Sequence, residues 1–124
     1  MRILVCGDRN WTDPFPMMAK FQQLFNHAAP REITIIHGAA RGADQMAHAL
    51  ARDLGLAVMP FPADWVRYGR AAGPVRNRQM LLEGRPDLVL AFHNNLSESR
   101  GTADMVRRAR KAGIPVEVIT SHGE

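Results

Sequence analysis

The alternation of short apolar runs with helix-length segments is the feature of this sequence that most constrains its fold. Each run is nearly continuous in apolar residues, which is typical of strands covered by other elements on both faces of a sheet. The runs extend from Arg2 to Cys6, Ile33 to His37, Ala57 to Phe61, Asp87 to Phe92 and Pro115 to Ile119. Because helical patterns fill the segments between them, the sequence predicts an α/β fold in which helices cover both faces of a mostly parallel sheet.

Start and stop signals predict where the helices lie. Pro14 suits the first turn of a helix. Apolar residues recur at three- and four-residue steps from Ala43 to Leu54, and Gly55 follows as a left-handed stop. A further helix is predicted from Gly73–Pro74 to Gly84, and the last one from Thr102, taken as its N-cap, to Ala112.

Length and composition indicate one domain. The chain has 124 residues, of which 46% are hydrophobic, so we expect a single domain over residues 1–120 and a loose tail over 121–124. No segment approaches the ~20 apolar residues of a membrane span, and no signal-peptide profile is present, so we expect a cytoplasmic protein. Cys6 is the only cysteine, which excludes an intramolecular disulfide. The histidines show no ligand spacing, so neither a structural metal nor a cofactor is expected.

One edge of the predicted sheet collects the aromatic residues best suited to ligand binding. Right-handed crossovers place every strand-to-helix loop at the carboxyl edge of a parallel sheet. Both tryptophans and the only tyrosine lie in these loops: Trp11, Trp65 and Tyr68. Their rings are predicted to form stacking surfaces for a base, with coverage of a dimer contact or of a local hydrophobic gap as the alternative.

Arginines are concentrated at the same edge. The formal net charge is +4, and five arginines belong to this group: Arg9, Arg41, Arg76, Arg78 and Arg100. A cation at a helix N-terminus costs about 0.3–1 kcal/mol, and a bound anion would turn that penalty into a contact. We therefore predict a phosphate site in which Arg41 holds the anion and small loop residues let the backbone approach it: Gly38, Ala39, Ala40 and Gly42. For any single arginine, a solvated loop position is the alternative.

Four ordered segments together resemble a known family. "HGAARGADQMAHALA" is similar to the phosphate-binding turn and helix of the SLOG superfamily, which joins the DNA-processing protein DprA (Smf) with the LOG-type cytokinin-activating phosphoribohydrolases. With "GDRNWTD", "PADWVRYGRAAGPVRNRQM" and "SRGTADMVRRARKAGIPV", the chain resembles the small YspA-like SLOG proteins of bacteria and phages. The resemblance implies a Rossmann-like three-layer sandwich with strand order 3-2-1-4-5, a nucleotide or ADP-ribose-like ligand, and a homodimer.

The resemblance also assigns candidate roles to individual residues. The ligand-binding positions that match the family's motifs are Gly7, Arg9, Gly38, Arg41, Gly42, Asp44, Arg76, Asn77, Gly101 and Thr102. The LOG enzymes use a glutamate in glycosidic cleavage, and Met105 occupies its position here. A carboxylate could instead come from Asp8, Asp44, Asp64 or Asp104, of which Asp64 and Asp8 are the catalytic candidates. The alternative interpretation is that these carboxylates cap or stabilise helix starts.

Three functions remain open at this point. The preferred one is a binding module that captures the phosphates of a nucleotide or nucleotide-derived small molecule. The first alternative is a nucleoside-monophosphate N-glycosidase at the same site. The second alternative is DprA-like binding of single-stranded DNA along a track of further arginines: Arg67, Arg70, Arg107, Arg108 and Arg110. Arginines late in a helix suit the helix dipole without any nucleic acid, which favours the binding module.

Overall fold

The computed structural model describes residues 1–121, and five parallel strands form a single sheet within them. The strands are β1 (Arg2–Gly7), β2 (Thr34–His37), β3 (Ala57–Pro60), β4 (Leu88–Phe92) and β5 (Val116–Ile119). Their order is β3-β2-β1-β4-β5, and every neighbouring pair is parallel. The predicted fold class and strand order are therefore confirmed.

The helices begin and end close to the predicted signals. They are α1 (Pro14–Leu24), α2 (Ala43–Asp53), α3 (Trp65–Tyr68), α4 (Ala72–Gln79) and α5 (Gly101–Lys111). A π-helical turn, Met80–Gly84, continues α4 to its predicted end. Short 3₁₀ turns occupy residues 30–32, 69–71 and 96–98. The long segment between β3 and α4, predicted as a loop, therefore contains one helical turn of its own.

The sheet separates two apolar layers because successive residues of a strand point to opposite faces. Ile3 and Val5 of β1 pack in the layer that contains α1 and α2. Leu4 and Cys6 pack in the other layer, with Met105 of α5 and the π-helical turn after α4. Helices thus cover both faces of the sheet, and the strand-to-helix loops are left to form its carboxyl edge.

Side-chain caps fix two of the helix starts at this edge. Asp13 Oδ1 accepts the Phe15 N–H at 3.1 Å where α1 begins. At α5, the hydroxyl of Ser99 accepts the Thr102 N–H at 2.9 Å. The prediction that Thr102 caps α5 is wrong, because Thr102 is buried inside the first turn and the accepting oxygen belongs to Ser99.

The last residue that the structure describes is held by hydrogen bonds. The Ser121 N–H donates to Asn94 Oδ1 at 2.7 Å, and its hydroxyl donates to Asp13 Oδ2 at 2.6 Å. The predicted tail begins at this residue, and its remainder, residues 122–124, lies outside the described residues. In the portion covered by the structure, no helix has the length and apolar character needed to cross a bilayer.

Candidate ligand-binding cleft

A cavity of about 860 Å³ opens at the carboxyl edge, where the loops after β1 and β4 meet the segment from α3 to α4. We call it the arginine cleft. Most of the predicted ligand-binding residues line it: Gly7, Arg9, Arg41, Asp44, Arg76, Asn77, Gly101 and Thr102. Of the other two, Gly38 lines a smaller neighbouring cavity, and Gly42 lines neither.

The smaller cavity, of about 300 Å³, adjoins the arginine cleft. Five residues line both: Arg9, Ala40, Arg41, Trp65 and Arg76. The two cavities are therefore parts of one depression, with guanidinium groups at the common wall. A single ligand could occupy both parts while its charged atoms meet the arginines between them.

Guanidinium groups from separate segments of the chain converge on the arginine cleft. Four of the five arginines in the predicted group line it: Arg9, Arg41, Arg76 and Arg100. Arg78 does not, because it lies two residues after Arg76 and so about 200° around α4. The cleft also includes Arg70 and Arg107, which the sequence suggested only for a DNA track.

Most of these cations have no counter-ion in the structure. Arg107 pairs with Asp104 at 2.6 Å, and Arg76 donates to backbone and amide oxygens. The guanidinium groups of the other four make no hydrogen bond or ion pair with any part of residues 1–121: Arg9, Arg41, Arg70 and Arg100. The result is a concave surface with an excess of unpaired positive charge.

The loop after β2, residues 38–42, contrasts with this surface because side chains just beyond its two ends, those of His37 and Asp44, already accept hydrogen bonds from three of its N–H groups. Asp44 Oδ2 accepts from the N–H groups of Gly38 at 3.0 Å and Ala40 at 3.2 Å. The Ala39 N–H donates to His37 Nδ1 at 3.0 Å. This corrects the prediction that the backbone of Gly38, Ala39 and Ala40 approaches a phosphate, since the carboxylate of Asp44 stands where such an anion would bind.

The glycines of this region let neighbouring loops pack closely. Gly42 has φ 74° and ψ −119°, and a Cβ there would collide with the Asp8 carbonyl and the backbone of Arg9. A Cβ on Gly38 would overlap the guanidinium of Arg76. By contrast, a Cβ on Gly101 would meet no heavy atom within 4 Å from the described residues beyond its chain neighbours and its own helix backbone. Of these three glycines, only Gly101 leaves open space, at the start of α5 in the arginine cleft.

A chain of hydrogen bonds connects the loop after β2 to the second half of α4 and to the first turn of α5. Arg76 Nη1 donates to the Gly38 carbonyl at 2.5 Å, and its Nε donates to Asn77 Oδ1 at 3.1 Å. Asn77 Nδ2 in turn donates to the Gly101 carbonyl at 3.2 Å and to Asp104 Oδ2 at 3.0 Å. Asn77 is therefore a positioning residue between α4 and α5, and not a group that faces a ligand freely.

Burial shifts the pKa values of three groups that line the arginine cleft. It raises the pKa of Asp44 to about 6, against the opposing effects of the Ala40 N–H, Arg76, the Gly38 N–H and Arg9. It also lowers the pKa of Arg76 and raises that of the Cys6 thiol, which stays protonated. A buried neutral thiol is not a nucleophile.

The ring of His37 is also held by hydrogen bonds within the protein. Its Nε2 lies 2.9 Å from His48 Nδ1. Because Nδ1 of His37 accepts the Ala39 N–H, the proton of the neutral ring lies on Nε2 and is donated to His48. Burial, with His48 and Arg76 nearby, lowers the pKa of His37 to about 4.

The catalytic candidates are not assembled into one site. Asp64 is exposed, accepts the Arg67 N–H at 3.0 Å as the cap of α3, and does not line the arginine cleft. The structure therefore supports the capping interpretation of Asp64, and its assignment as a catalytic group stays a prediction. Asp8 does line the cleft, and its Oδ1 accepts the Asn10 N–H at 2.9 Å. Met105, at the position of the LOG glutamate, is fully buried in the core.

The three aromatic candidates differ in their surroundings. Trp65 is 52% exposed and lines both cavities. Tyr68 lines neither, and the guanidinium of Arg67 lies over its ring at 5.1 Å. Trp11 is only 5% exposed, packs edge-on against Phe92 and donates its indole N–H to the Asp13 carbonyl. The prediction that Trp11 stacks on a base is therefore wrong, because its ring is part of the core.

Some lining residues were missed by the sequence reasoning. Gln45, Pro62 and Ala63 line the smaller cavity, and Glu98 and Ser99 line the arginine cleft. Gln45 follows Asp44 in the first turn of α2, so its place at a helix start was a usable signal for the carboxyl edge. Pro62 and Ala63 carry no such signal, because small apolar loop residues occur at any surface.

Comparisons with known proteins find one similar phage protein and one matching family model. The gene 61 protein of Mycobacterium phage D29 is 39% identical over 120 residues, and the match covers 93% of each chain. A family model described as the YspA, cpYpsA-related SLOG family matches residues 1–68, which include the loops after β1 and β2 and the turn α3. The resemblance found in the sequence is thereby confirmed, and the chain belongs to the YspA, cpYpsA-related SLOG family.

Proposed function

We propose that the arginine cleft binds a nucleotide or nucleotide-derived small molecule through its phosphate groups. The observation that carries the proposal is the convergence of four unpaired guanidinium groups on one cavity: Arg9, Arg41, Arg70 and Arg100. Like charges repel, so gathering them without counter-ions has a cost that a bound anion removes. Guanidinium groups match phosphate oxygens with paired hydrogen bonds, which makes phosphate the fitting anion.

The start of α5 supports the same ligand class. Helix α5 has 11 residues, and its first turn faces the cleft at Gly101 and Thr102. The N-terminus of a helix carries about half a positive charge and favours negative groups. Because Gly101 has no side chain and space lies beside it, a phosphate could approach the backbone there. Membership of the SLOG family adds support for a nucleotide as the carrier of the phosphate.

Neither alternative function has a comparable observation behind it. The N-glycosidase would need a carboxylate placed in the cleft for acid–base chemistry, whereas Asp64 caps α3 and Met105 is buried. Of the two catalytic candidates only Asp8 lines the cleft, and its Oδ1 already accepts the Asn10 N–H. The DNA track would need several free arginines along α5, whereas Arg107 and Arg108 both pair with Asp104, which leaves Arg110 alone of the three without a side-chain partner among the described residues. A small phosphorylated ligand therefore fits the described residues better than either alternative.

Equilibrium binding tests the proposal. Titration calorimetry with ADP and with inorganic pyrophosphate should detect binding to the wild-type protein. Arg41→Gln and Arg100→Gln should each weaken binding about tenfold or more, because a charge-assisted hydrogen bond contributes about 1.5–3 kcal/mol.

Arg31→Gln is the matched control, since Arg31 is an exposed arginine outside the cleft. It should leave both affinities unchanged. The proposal is wrong if neither compound binds, or if Arg31→Gln weakens binding as much as Arg41→Gln and Arg100→Gln do.

A further inference from the structure

We propose that the smaller cavity is the subsite for the uncharged, planar part of the ligand, namely a nucleobase stacked on Trp65 with its edge at Gln45. The inference rests on the proposed function, because it assumes that the arginines hold the phosphates. It also fixes the direction of the ligand: the base lies toward β2 and β3, and the rest extends toward α5.

The distribution of charge supports this direction. The charged residues that line the smaller cavity are the three of the common wall: Arg9, Arg41 and Arg76. Beyond that wall its lining is uncharged and includes Gln45, Pro62 and Ala63, and the Trp65 ring belongs to the part that both cavities share. The arginine cleft, by contrast, carries carboxylates and further arginines throughout. A ligand with a neutral end and an anionic middle matches this asymmetry.

Trp65 has the exposure that a stacking surface needs. Its side chain is about half exposed, and it makes no ring contact or hydrogen bond with any residue from 1 to 121. Trp11 shows the ordinary alternative, a buried ring with a packed neighbour and a bonded N–H. A tryptophan without such partners, on a single helical turn that lines a 300 Å³ cavity, offers a flat apolar face to a base.

Ala39 adds a second, independent observation. It has φ 58°, the left-handed region that non-glycine residues adopt only with strain. Glycine would relieve that strain, yet the chain has an alanine that is exposed and lines the smaller cavity. The methyl group supplies apolar surface on the loop side of the cavity, which suits a planar apolar group.

Gln45 supplies the polar contact of the subsite. Its side chain is exposed, and its amide makes no hydrogen bond with the described part of the chain. An amide offers a donor and an acceptor side by side, which matches the edge of a base and adds no charge. Gln45 is therefore assigned as a specificity-determining residue for the base.

Two variants and two probes separate this inference from the proposed function. Trp65→Leu should weaken ADP binding about tenfold or more, because base–aromatic stacking contributes strongly to affinity. Gln45→Ala should weaken it about threefold to tenfold, as one neutral hydrogen bond would. Both variants should bind inorganic pyrophosphate as the wild type does. Val66→Ala is the control, since Val66 lies on the same turn, fully exposed, and should change neither affinity.

The outcomes are distinct. If neither ADP nor pyrophosphate binds the wild-type protein, the proposed function fails and this inference falls with it. If pyrophosphate binds as tightly as ADP, or if Trp65→Leu weakens both probes equally, the base subsite is overturned while the phosphate site stands. The inference is supported if Trp65→Leu and Gln45→Ala weaken ADP binding and leave pyrophosphate binding unchanged, while Val66→Ala changes neither.

Discussion

The backbone N–H groups of the loop after β2 and the four unpaired guanidinium groups of the arginine cleft both present hydrogen-bond donors to the carboxyl edge, but within residues 1–121 only the N–H groups have acceptors. The N–H groups of Gly38, Ala39 and Ala40 are bonded to Asp44 and His37. The guanidinium groups of Arg41 and Arg100 have no such partners within residues 1–121. The comparison separates a loop whose donors are satisfied within the protein from a surface whose donors are available to the ligand that we propose.

The difference also distinguishes this cleft from a phosphate site built from a glycine-rich loop. In such a site the backbone N–H groups themselves hold the anion. Here the carboxylate of Asp44 occupies two of the loop's N–H groups, so the loop provides position and the arginines provide charge. Substitutions in the loop should therefore change stability first, whereas substitutions of the free arginines should change binding first.

The largest effect is expected at Gly42. Gly42→Ala should lower the free energy of unfolding by about 3 kcal/mol or more, because strain at positive φ adds to a collision with backbone that cannot move aside. Gly55→Ala is the matched control: φ is 76°, and no atom lies within 4 Å of the new Cβ. It should cost about 1 kcal/mol. Equal losses in urea unfolding would mean that the loops do not pack as described.

A smaller effect on the free energy of unfolding should distinguish the hydrogen-bonded arginine of the cleft from the unpaired ones. Arg76→Gln should lower the free energy of unfolding by about 1–3 kcal/mol, because Arg76 is partly buried and bonded to the Gly38 carbonyl. Arg41→Gln and Arg100→Gln should change it by about 0.5 kcal/mol or less. Urea unfolding of the three variants without ligand is the measurement. A large loss in Arg41→Gln would show that this arginine is structural after all.

The smallest effect is expected in the pH dependence of the wild-type protein, because two buried groups act in opposite directions. Folding raises the pKa of Asp44 from 3.8 to about 6, so from pH 4 to 6 the native state holds a proton that the unfolded chain lacks, and stability falls as pH rises. Folding lowers the pKa of His37 from 6.5 to about 4, so its contribution rises with pH over nearly the same window.

Substitution of either group should remove this balance. Asp44→Asn should leave the His37 contribution, so the free energy of unfolding should rise from pH 4 to 6.5 more steeply than in the wild type. His37→Gln should leave the Asp44 contribution and reverse the slope. Urea unfolding at several pH values checks both expectations, and parallel curves for the three proteins would contradict them.

The fold could be predicted from the sequence because its signals are local. Apolar runs mark β1 and its neighbours, and Pro14 and Gly55 mark helix ends whose conformations few other residues adopt. The short turn α3 is the exception among the helices. Four residues hold too few periodic positions to distinguish a helix from a loop, even though Asp64 caps it.

The site could be predicted only in part, because sequence places a residue at an edge without fixing where its side chain points. The loops of a parallel sheet brought Arg9, Arg41, Arg76 and Arg100 together as expected. The same reasoning could not tell that Trp11 turns into the core. Nor could it tell that Asp44 folds back onto its own loop, which depends on the backbone turn at Gly42.

The most direct test of the central claim is an NMR titration that observes the arginine side-chain Nε–H groups while inorganic pyrophosphate is added. The account predicts that the signals of Arg9, Arg41 and Arg100 shift in a saturable way, and that those of Arg31 and Arg52, exposed arginines outside the cleft, do not. Uniform shifts across all exposed arginines, or no shifts within the cleft, would contradict it.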